Sequence, residues 1–507
     1  MTKPMLDRWL GAGVRGDLLA LISGALVPLA FAPFNLFLIA PLSISLLFLL
    51  WLHVSVRQAV WRGYLFGLGQ FGTGVSWVYV AIHDYGFTGA PLAALLTLLF
   101  VSTLALCVAF AGFLARRMAG EAQQKPVLFL LGIAPSAWVA VEWLRTWFLT
   151  GFPWLQLGYG QIDSPLHGWA PLFGVLALTL FVAVSGGALA LLALQRRQAV
   201  KIVAPLLLVI WAGGALVDRI TWTQPYGKPI TVSLIQGDES QVDKWENFSI
   251  QERLDRYAQM TRAQLGYSQL IVWPENAITV FYQDAKTTFF DPIAREAREH
   301  GTDIVGGTPV LAEDGIRYYT SMVSLGNEVT FYRKNHLVPF GEYMPLGSVL
   351  RGLIRFFDLP MSGFIPGPDH QPPLQVAGNK AAITICYEDA FGAAVAKNLQ
   401  DATLLINGSN NGWYGDSLAP HQHLQIARMR ALETGRPLAR ATTTGISALV
   451  DDKGHILSRS PQFVLYTLTG ELQPMTGTTP YVRWRDWPVL IMLGVVFVVA
   501  WRRRRVS

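Results

Sequence analysis

The chain has 507 residues, of which 52% are hydrophobic and only 15% charged, with a formal net charge of +6. An average soluble domain carries about 25% charge, so a disordered chain and an ordinary soluble protein are both excluded. Charge is also unevenly placed: residues 220–485 hold 23 basic and 26 acidic side chains (net −3), and the rest of the chain 17 and 8 (net +9). The basic excess therefore flanks apolar segments and forms no nucleic-acid surface, and no nucleic-acid partner is expected.

A bilayer core needs about 20 apolar residues per helix. Charge-free runs occupy 18–56, 63–83, 85–115, 164–195 and 202–217, and another at 126–141 continues past Glu142 and Arg145 to about Phe148. The first, of 39 residues, is long enough for two spans broken near Ala32-Pro33-Phe34-Asn35. Seven spans then precede residue 220, and an eighth at 487–501 ends in Arg502-Arg503-Arg504-Arg505. Arg8 and Arg15 before Leu18–Leu29 imitate a cleaved signal peptide, but the spans that follow at once suit a retained anchor better.

Lysine and arginine set the orientation. With the N-terminus inside, the inner segments carry 15 of them, and the short outer loops near 31–38, 83–89 and 149–166 carry none. Residues 221–485 then lie outside, in the periplasm of a Gram-negative cell, with both termini cytoplasmic. The chain divides into a membrane part (1–220), an outer domain (221–485) and a final span with a basic tail (486–507). A transporter is the competing reading of the spans. Their only intramembrane ionisable candidates are Glu142 and Arg145, spaced to pair with each other on one helix face. Without repeated halves or interrupted helices, the spans read as a platform.

In the outer domain, strands are predicted at 229–236, 269–273, 302–307, 381–388, 402–408, 436–445 and 446–452, with helices at 251–265, 286–300 and near 419–434. Residues 320–326 and 328–334 flank a Gly326-Asn327 turn, a hairpin signal. Strands alternating with helices indicate an α/β layered sandwich. With Cys386 as its only thiol, this part has no disulfide framework; Cys107 lies in an apolar run and reads as inert.

Three polar residues each end an apolar strand: Glu275 after Ile271-Val272-Trp273-Pro274, Lys334 after Val329–Arg333, and Cys386 after Ala381–Ile385. Strand ends are where α/β folds place chemistry. Taken singly they read as a turn residue, a solvated lysine and a core cysteine. Together they describe a nucleophilic thiol, a carboxylate base and an ammonium to stabilise an oxyanion, which is acyl transfer through a thioester.

The strings Trp273-Pro274-Glu275, YRKNHLVPFGEY at 332–343, CYED at 386–389 and RALETGRPLARATTTG at 430–445 resemble the nitrilase (carbon–nitrogen hydrolase) superfamily. Eight spans around such a domain resemble its apolipoprotein N-acyltransferase family; HLVPFGEYMP at 336–345 is the most specific piece. The resemblance implies a polytopic helical membrane domain and a periplasmic αββα sandwich. It implies a Glu275–Lys334–Cys386 triad, with Lys334 and the Tyr387 N–H holding the oxyanion. Glu342 would position Lys334 or assist proton movement, Tyr387 and Glu388 would flank the nucleophile, and Trp245 would lie near the substrate. The implied acyl donor is a phospholipid, typically phosphatidylethanolamine attacked at its sn-1 ester. The implied acceptor is the α-amine of the N-terminal diacylglyceryl-cysteine of a lipoprotein. A membrane-anchored amidase with the same triad is the alternative. No cofactor or metal is expected, and a monomer is.

Residues 346–364 are apolar for an exposed loop and read either as a lipid-dipping arm hinged at Gly363 and Gly367 or as a packed helix. His421-x-His423 is too short for a metal site, and Gly306-Gly307 reads as a turn. The turn-rich loop from Asn407 to Gly412 is placed to line the pocket, since it follows the strand after Cys386.

Overall fold

A computed structural model describes residues 11, 13–52, 54–120, 125–194, 196–239, 250–343 and 363–506. It divides into two compact units. Met1–Thr221, Asp416–Gln425 and Arg483–Ser507 form the first; Trp222–Gly415 and Ile426–Val482 form the second.

In the first unit each expected apolar run is helical. The helices are Val14–Leu26, Ile39–Leu52, Val56–Gly74 with Trp77–His83, Ala90–Ala119, Pro126–Leu144, Ala170–Leu194, Arg196–Val217 and Trp487–Val506. Among the described residues, four helices are long and apolar enough to cross a membrane, or five if Val56–Gly74 and Trp77–His83, bent by 60°, count as one span. That is fewer than the eight expected. Ile39–Leu52 has 14 residues and Val14–Leu26 has 13, each about 20 Å of helix against a core of about 30 Å. Small residues let helices touch backbone to backbone, as in lipid. A Cβ on Gly63 would lie 2.6 Å from the Val108 carbonyl oxygen, and one on Gly67 2.6 Å from Ala105 Cα.

Among the described residues, Glu142 and Arg145 form no direct hydrogen bond or ion pair with each other, and each bonds elsewhere. The Glu142 carboxylate accepts from Trp138 Nε1 (2.8 Å), the Leu157 N–H (3.2 Å) and Thr179 Oγ1 (2.8 Å). Arg145 donates to the carbonyls of Phe152 (3.2 Å) and Trp154 (3.0 Å). Both fasten the non-helical stretch from Phe152 to Leu157, where backbone groups need partners.

Asp416–Gln425 adds two buried amides. Gln422 Oε1 accepts from the indole N–H of Trp77 (3.2 Å) and of Trp154 (2.7 Å), and its Nε2 donates to the Gly74 carbonyl (3.1 Å). Gln425 accepts from the Ala32 N–H (3.2 Å) and donates to Asn35 (3.3 Å). His423 packs its ring 5.4 Å from that of Trp154.

The strands of the second unit are β1 (Thr223–Pro225), β2 (Ile230–Gln236), β3 (Leu270–Val272), β4 (Asp303–Leu311), β5 (Tyr318–Leu325), β6 (Val329–Arg333), β7 (Leu374–Val376), β8 (Asn379–Ile385), β9 (Leu404–Ser409), β10 (Leu438–Thr442), β11 (Ala448–Val450), β12 (Ile456–Arg459), β13 (Tyr466–Leu472) and β14 (Met475–Gly477). They make two six-stranded sheets, β13-β2-β3-β4-β5-β6 and β12-β11-β10-β9-β8-β7, and a β1-β14 ribbon. Each large sheet has a parallel centre: β2-β3-β4 in one, β8-β9-β10 in the other. Such strands are buried on both faces, and β9 and β10 are buried throughout. Helices Ile250–Arg262 and Asp291–Glu299 cover the first sheet through a core of Tyr257, Trp273, Phe290, Ile293 and Ile304. The expected hairpin is present, with Leu325 opposite Val329.

Gly306 and Gly307 form no turn. They lie inside β4, where a Cβ on Gly307 would meet the Pro274 carbonyl oxygen at 2.2 Å and Glu275 Cα at 2.7 Å. Glycine is needed because another backbone crosses there.

Candidate active site

The C-terminal ends of β3, β6 and β8 deliver the three candidate residues to one buried place. Lys334 Nζ donates to Glu275 Oε1 at 2.9 Å and to Glu342 Oε1 at 2.8 Å. Lys334 is 1% exposed and Glu275 5%. The backbone fixes each group. The Lys334 N–H bonds to the Thr320 carbonyl (2.8 Å), and the Lys334 carbonyl accepts from the Gly367 N–H (2.8 Å). Glu275 Oε2 accepts from the Asn410 N–H at 3.0 Å. Glu342 Oε2 accepts from the Val338 N–H at 2.8 Å.

β8 ends at Ile385, sooner than the strand predicted to 388, and Cys386 opens a 3-10 turn that runs to Ala390. Cys386 sits at φ 52°, the left-handed region that a side chain enters at a cost and that recurs at functional sites. Burial pushes its thiol far up. Glu275, Glu342 and Asp389 push the same way, while Lys334 pulls down. Burial is the larger cause, and the charge balance adds to it: a thiolate would add a negative charge beside Glu275, Glu342 and Asp389, with Lys334 as the opposing ammonium. Both effects favour the protonated thiol. Lys334 answers in reverse: burial would strip its proton, but Glu275 and Glu342 outweigh burial and hold it well above the ordinary lysine range. Burial likewise raises Glu342, against the pull of Lys334.

Glu388 is a staple. Its Oε1 accepts from the N–H groups of Asn335 (2.7 Å) and His336 (3.0 Å), just after Lys334. Its Oε2 accepts from the Ile385 N–H (2.8 Å), just before Cys386, and from the Tyr332 hydroxyl (3.0 Å). One carboxylate thus ties the ammonium-bearing and thiol-bearing strand ends together. Burial lifts Glu388 to about 7, even though these N–H donors and Lys334 draw it down. The Tyr387 ring packs edge-on to Phe391 (5.0 Å) and near His336 (5.8 Å).

Gly363 and Gly367, the expected hinges, are both bonded to the domain. The Tyr318 N–H bonds to the Gly363 carbonyl (3.0 Å), and Gly367 is pinned to Lys334. A Cβ on Gly367 would lie 2.5 Å from the Arg333 carbonyl oxygen. Trp245 and residues 346–362 of the proposed arm lie outside the described residues. Among the described residues no cluster of three or more metal-ligating side chains occurs.

Some site residues were not singled out in the sequence. Tyr414 ends a turn at Gly412–Tyr414; its hydroxyl is raised by burial and then by Cys386, and is drawn down by Lys334. Arg440 and Asp389 form a buried network at the Cys386 turn with Asn407, which opens the loop expected to line the pocket. Asn410 lies in the loop expected to line the pocket, and the signal for Tyr414 was that same turn-rich stretch; Arg440 is an arginine at the centre of an apolar strand.

Two sheets that bring a carboxylate, an ammonium and a thiol together from three strand ends define a carbon–nitrogen hydrolase-type domain, here in a chain with apolar, membrane-length helices. The comparisons agree. The profile described as "Carbon-nitrogen hydrolase" matches residues 231–481, and that described as "Apolipoprotein N-acyltransferase N-terminal domain" matches residues 23–188. The apolipoprotein N-acyltransferase of Methylococcus capsulatus is 44% identical over 493 residues, 97% of each chain. That of Azotobacter vinelandii is 42% identical over 98% of this chain and 97% of its own, and that of Coxiella burnetii 40% over 95% and 98%. The chain belongs to the apolipoprotein N-acyltransferase family, and it is a membrane-associated acyltransferase of the carbon–nitrogen hydrolase superfamily.

Proposed function

We propose that the enzyme moves a fatty acyl chain from the sn-1 position of a phospholipid, typically phosphatidylethanolamine, to the α-amine of a lipoprotein's N-terminal diacylglyceryl-cysteine. The observation that carries the reading is Lys334 held between Glu275 and Glu342, with Cys386 electrostatically coupled to all three. The high thiol proton affinity requires a base that acts during attack. Glu275 takes the proton as Sγ bonds to the ester carbon, and Lys334, with the Tyr387 N–H, meets the oxyanion. Collapse breaks the ester C–O bond. The departing lysophospholipid oxygen takes the proton from Glu275, leaving a Cys386 thioester. In the second half the acceptor amine attacks, Glu275 takes its proton, the C–S bond breaks and the sulfur recovers a proton. Glu342 keeps Lys334 charged and aimed.

The reading includes eight spans, a periplasmic catalytic domain and cytoplasmic termini in the inner membrane. Helices in every apolar run and the distribution of Lys and Arg support it. The enzyme acts as a monomer, without metal or cofactor.

Intact mass after incubation with phosphatidylethanolamine vesicles tests the chemistry. One added acyl chain is expected, absent in Cys386→Ser and discharged by a diacylglyceryl-cysteine peptide. Free fatty acid released at the same rate without the amine would instead identify a hydrolase.

A further inference from the structure

Thr384, Asn407 and Arg440 lie directly opposite one another across β8, β9 and β10. Arg440 is 1% exposed. Its Nη1 donates to Asp389 Oδ2 at 3.0 Å and to Asn407 Oδ1, and its Nη2 reaches Asn411 Oδ1 at 3.4 Å. Asn407 Nδ2 donates to Thr384 Oγ1 (2.9 Å) and to the carbonyl of Cys386 itself (3.4 Å). Arg440 therefore reaches the nucleophile turn twice: through Asp389, three residues after the sulfur, and through Asn407 at the Cys386 carbonyl. A buried ion pair is weak evidence for stability, since apolar side chains of similar volume usually serve as well. Here the pair ends on a cysteine whose backbone, at φ 52°, needs outside support.

We propose that Arg440 is a positioning residue for acyl transfer: through Asp389 and Asn407 it holds the left-handed turn that presents Cys386, and its charge cancels that of Asp389 beside the sulfur. The proposal rests on the reading of Cys386 as the nucleophile. The charged groups that act on the thiol are Glu275, Glu342 and Asp389 on one side of the balance and Lys334 on the other; Arg440 and the Tyr414 hydroxyl are coupled to it as well. Removing Arg440 alone leaves Asp389 buried and uncompensated, which disfavours a thiolate; removing both charges does not.

The test uses the full-length enzyme in a Cys107→Ala background, so that Cys386 is the sole thiol, with phosphatidylethanolamine as donor. Arg440→Met is expected to lower kcat about tenfold or more, with donor KM within about twofold, the split of a residue that acts on the reacting group rather than on binding. The rate of Cys386 alkylation by iodoacetamide at about pH 9 is expected to fall at least about threefold. Adding Asp389→Asn should restore the alkylation rate but not kcat, because the turn remains unheld. Arg440→Lys keeps the charge but cannot span both partners, so alkylation should stay near the parental rate while kcat falls. Parental kcat in Arg440→Met, or an alkylation loss that Asp389→Asn does not reverse, overturns the proposal. If Arg440→Met does not fold, Arg440→Lys and Asn407→Asp decide: parental kcat in both overturns it, and reduced kcat with retained donor KM supports it. An acyl adduct that persists in Cys386→Ala would instead sink the reading of the nucleophile.

Discussion

A cysteine nucleophile is usually activated by lowering its pKa, but burial, helped by Glu275, Glu342 and Asp389 against Lys334, raises that of Cys386. This separates two effects of Glu275. As a carboxylate near the sulfur it disfavours the thiolate; as the proposed base it would enable attack. Glu275→Gln should therefore leave alkylation of Cys386 by iodoacetamide as fast as in the parent or faster, yet reduce acyl transfer by about 10²-fold or more, as loss of a general base does. Slower alkylation in this variant would contradict the charge argument. Glu388 sets the pH dependence. Its folded pKa, about 7, lies above the ordinary carboxylate value. The proton is thus bound below about pH 7 and lost above it, and a protonated Glu388 offers fewer acceptor sites to its four donors. The acylation rate should fall as pH drops through about 7, and Glu388→Gln should be slow at every pH, without that inflection. The acid, the cation and the sulfur were legible in the sequence because each ends an apolar strand. Arg440 was not, because a buried charge and a surface charge look alike until its partners on β9 and in the nucleophile turn are in place.

At the level of elements, period-2 patterns and turn residues made the central strands and the Gly326-Asn327 hairpin readable. The edge strands β7, β12 and β13 and the β1-β14 ribbon were not predicted: all but the seven-residue β13 have three or four residues, too little pattern to stand out from loop. The reading of Gly306-Gly307 as a turn failed for a different reason. Glycine in a strand marks close approach as often as a break, and what approaches β4 is the segment that carries Glu275. Gly307→Ala should cost about 1–3 kcal/mol, typical of overpacking at a site with no room to shift. It should also impair catalysis more than an equally destabilising change elsewhere, because the backbone displaced, from Pro274 to Asn276, carries Glu275. Thermal melting against single-turnover acylation would separate the two; equal activity per folded molecule would show that Glu275 is not moved. The break at residues 32–35 between two short helices was visible as a cluster of turn formers, but their lengths of 13 and 14 residues were not.

For the whole molecule, sequence position and folding unit do not coincide. Asp416–Gln425 lies in the middle of the hydrolase-like sequence but belongs to the first unit, where Gln422 satisfies two buried indole N–H groups. Gln422→Leu should remove the acceptor that both indoles share, at about 1–3 kcal/mol, and lower the melting temperature of the purified protein in detergent. A fragment of residues 222–482 should fail to accumulate as an active enzyme even though it holds Glu275, Lys334 and Cys386, because ten of its residues lose the surroundings they fold in. Soluble, active fragment would refute this.

The excess of carboxylate over ammonium around the sulfur has a consequence for survival between turnovers. Peroxides and mixed-disulfide exchange consume the anionic form of cysteine far faster than the neutral one. On the proposed reading, an idle enzyme whose sulfur keeps its hydrogen is thus guarded against such reagents, and it is armed only for the moment in which an ester presents itself to be cleaved.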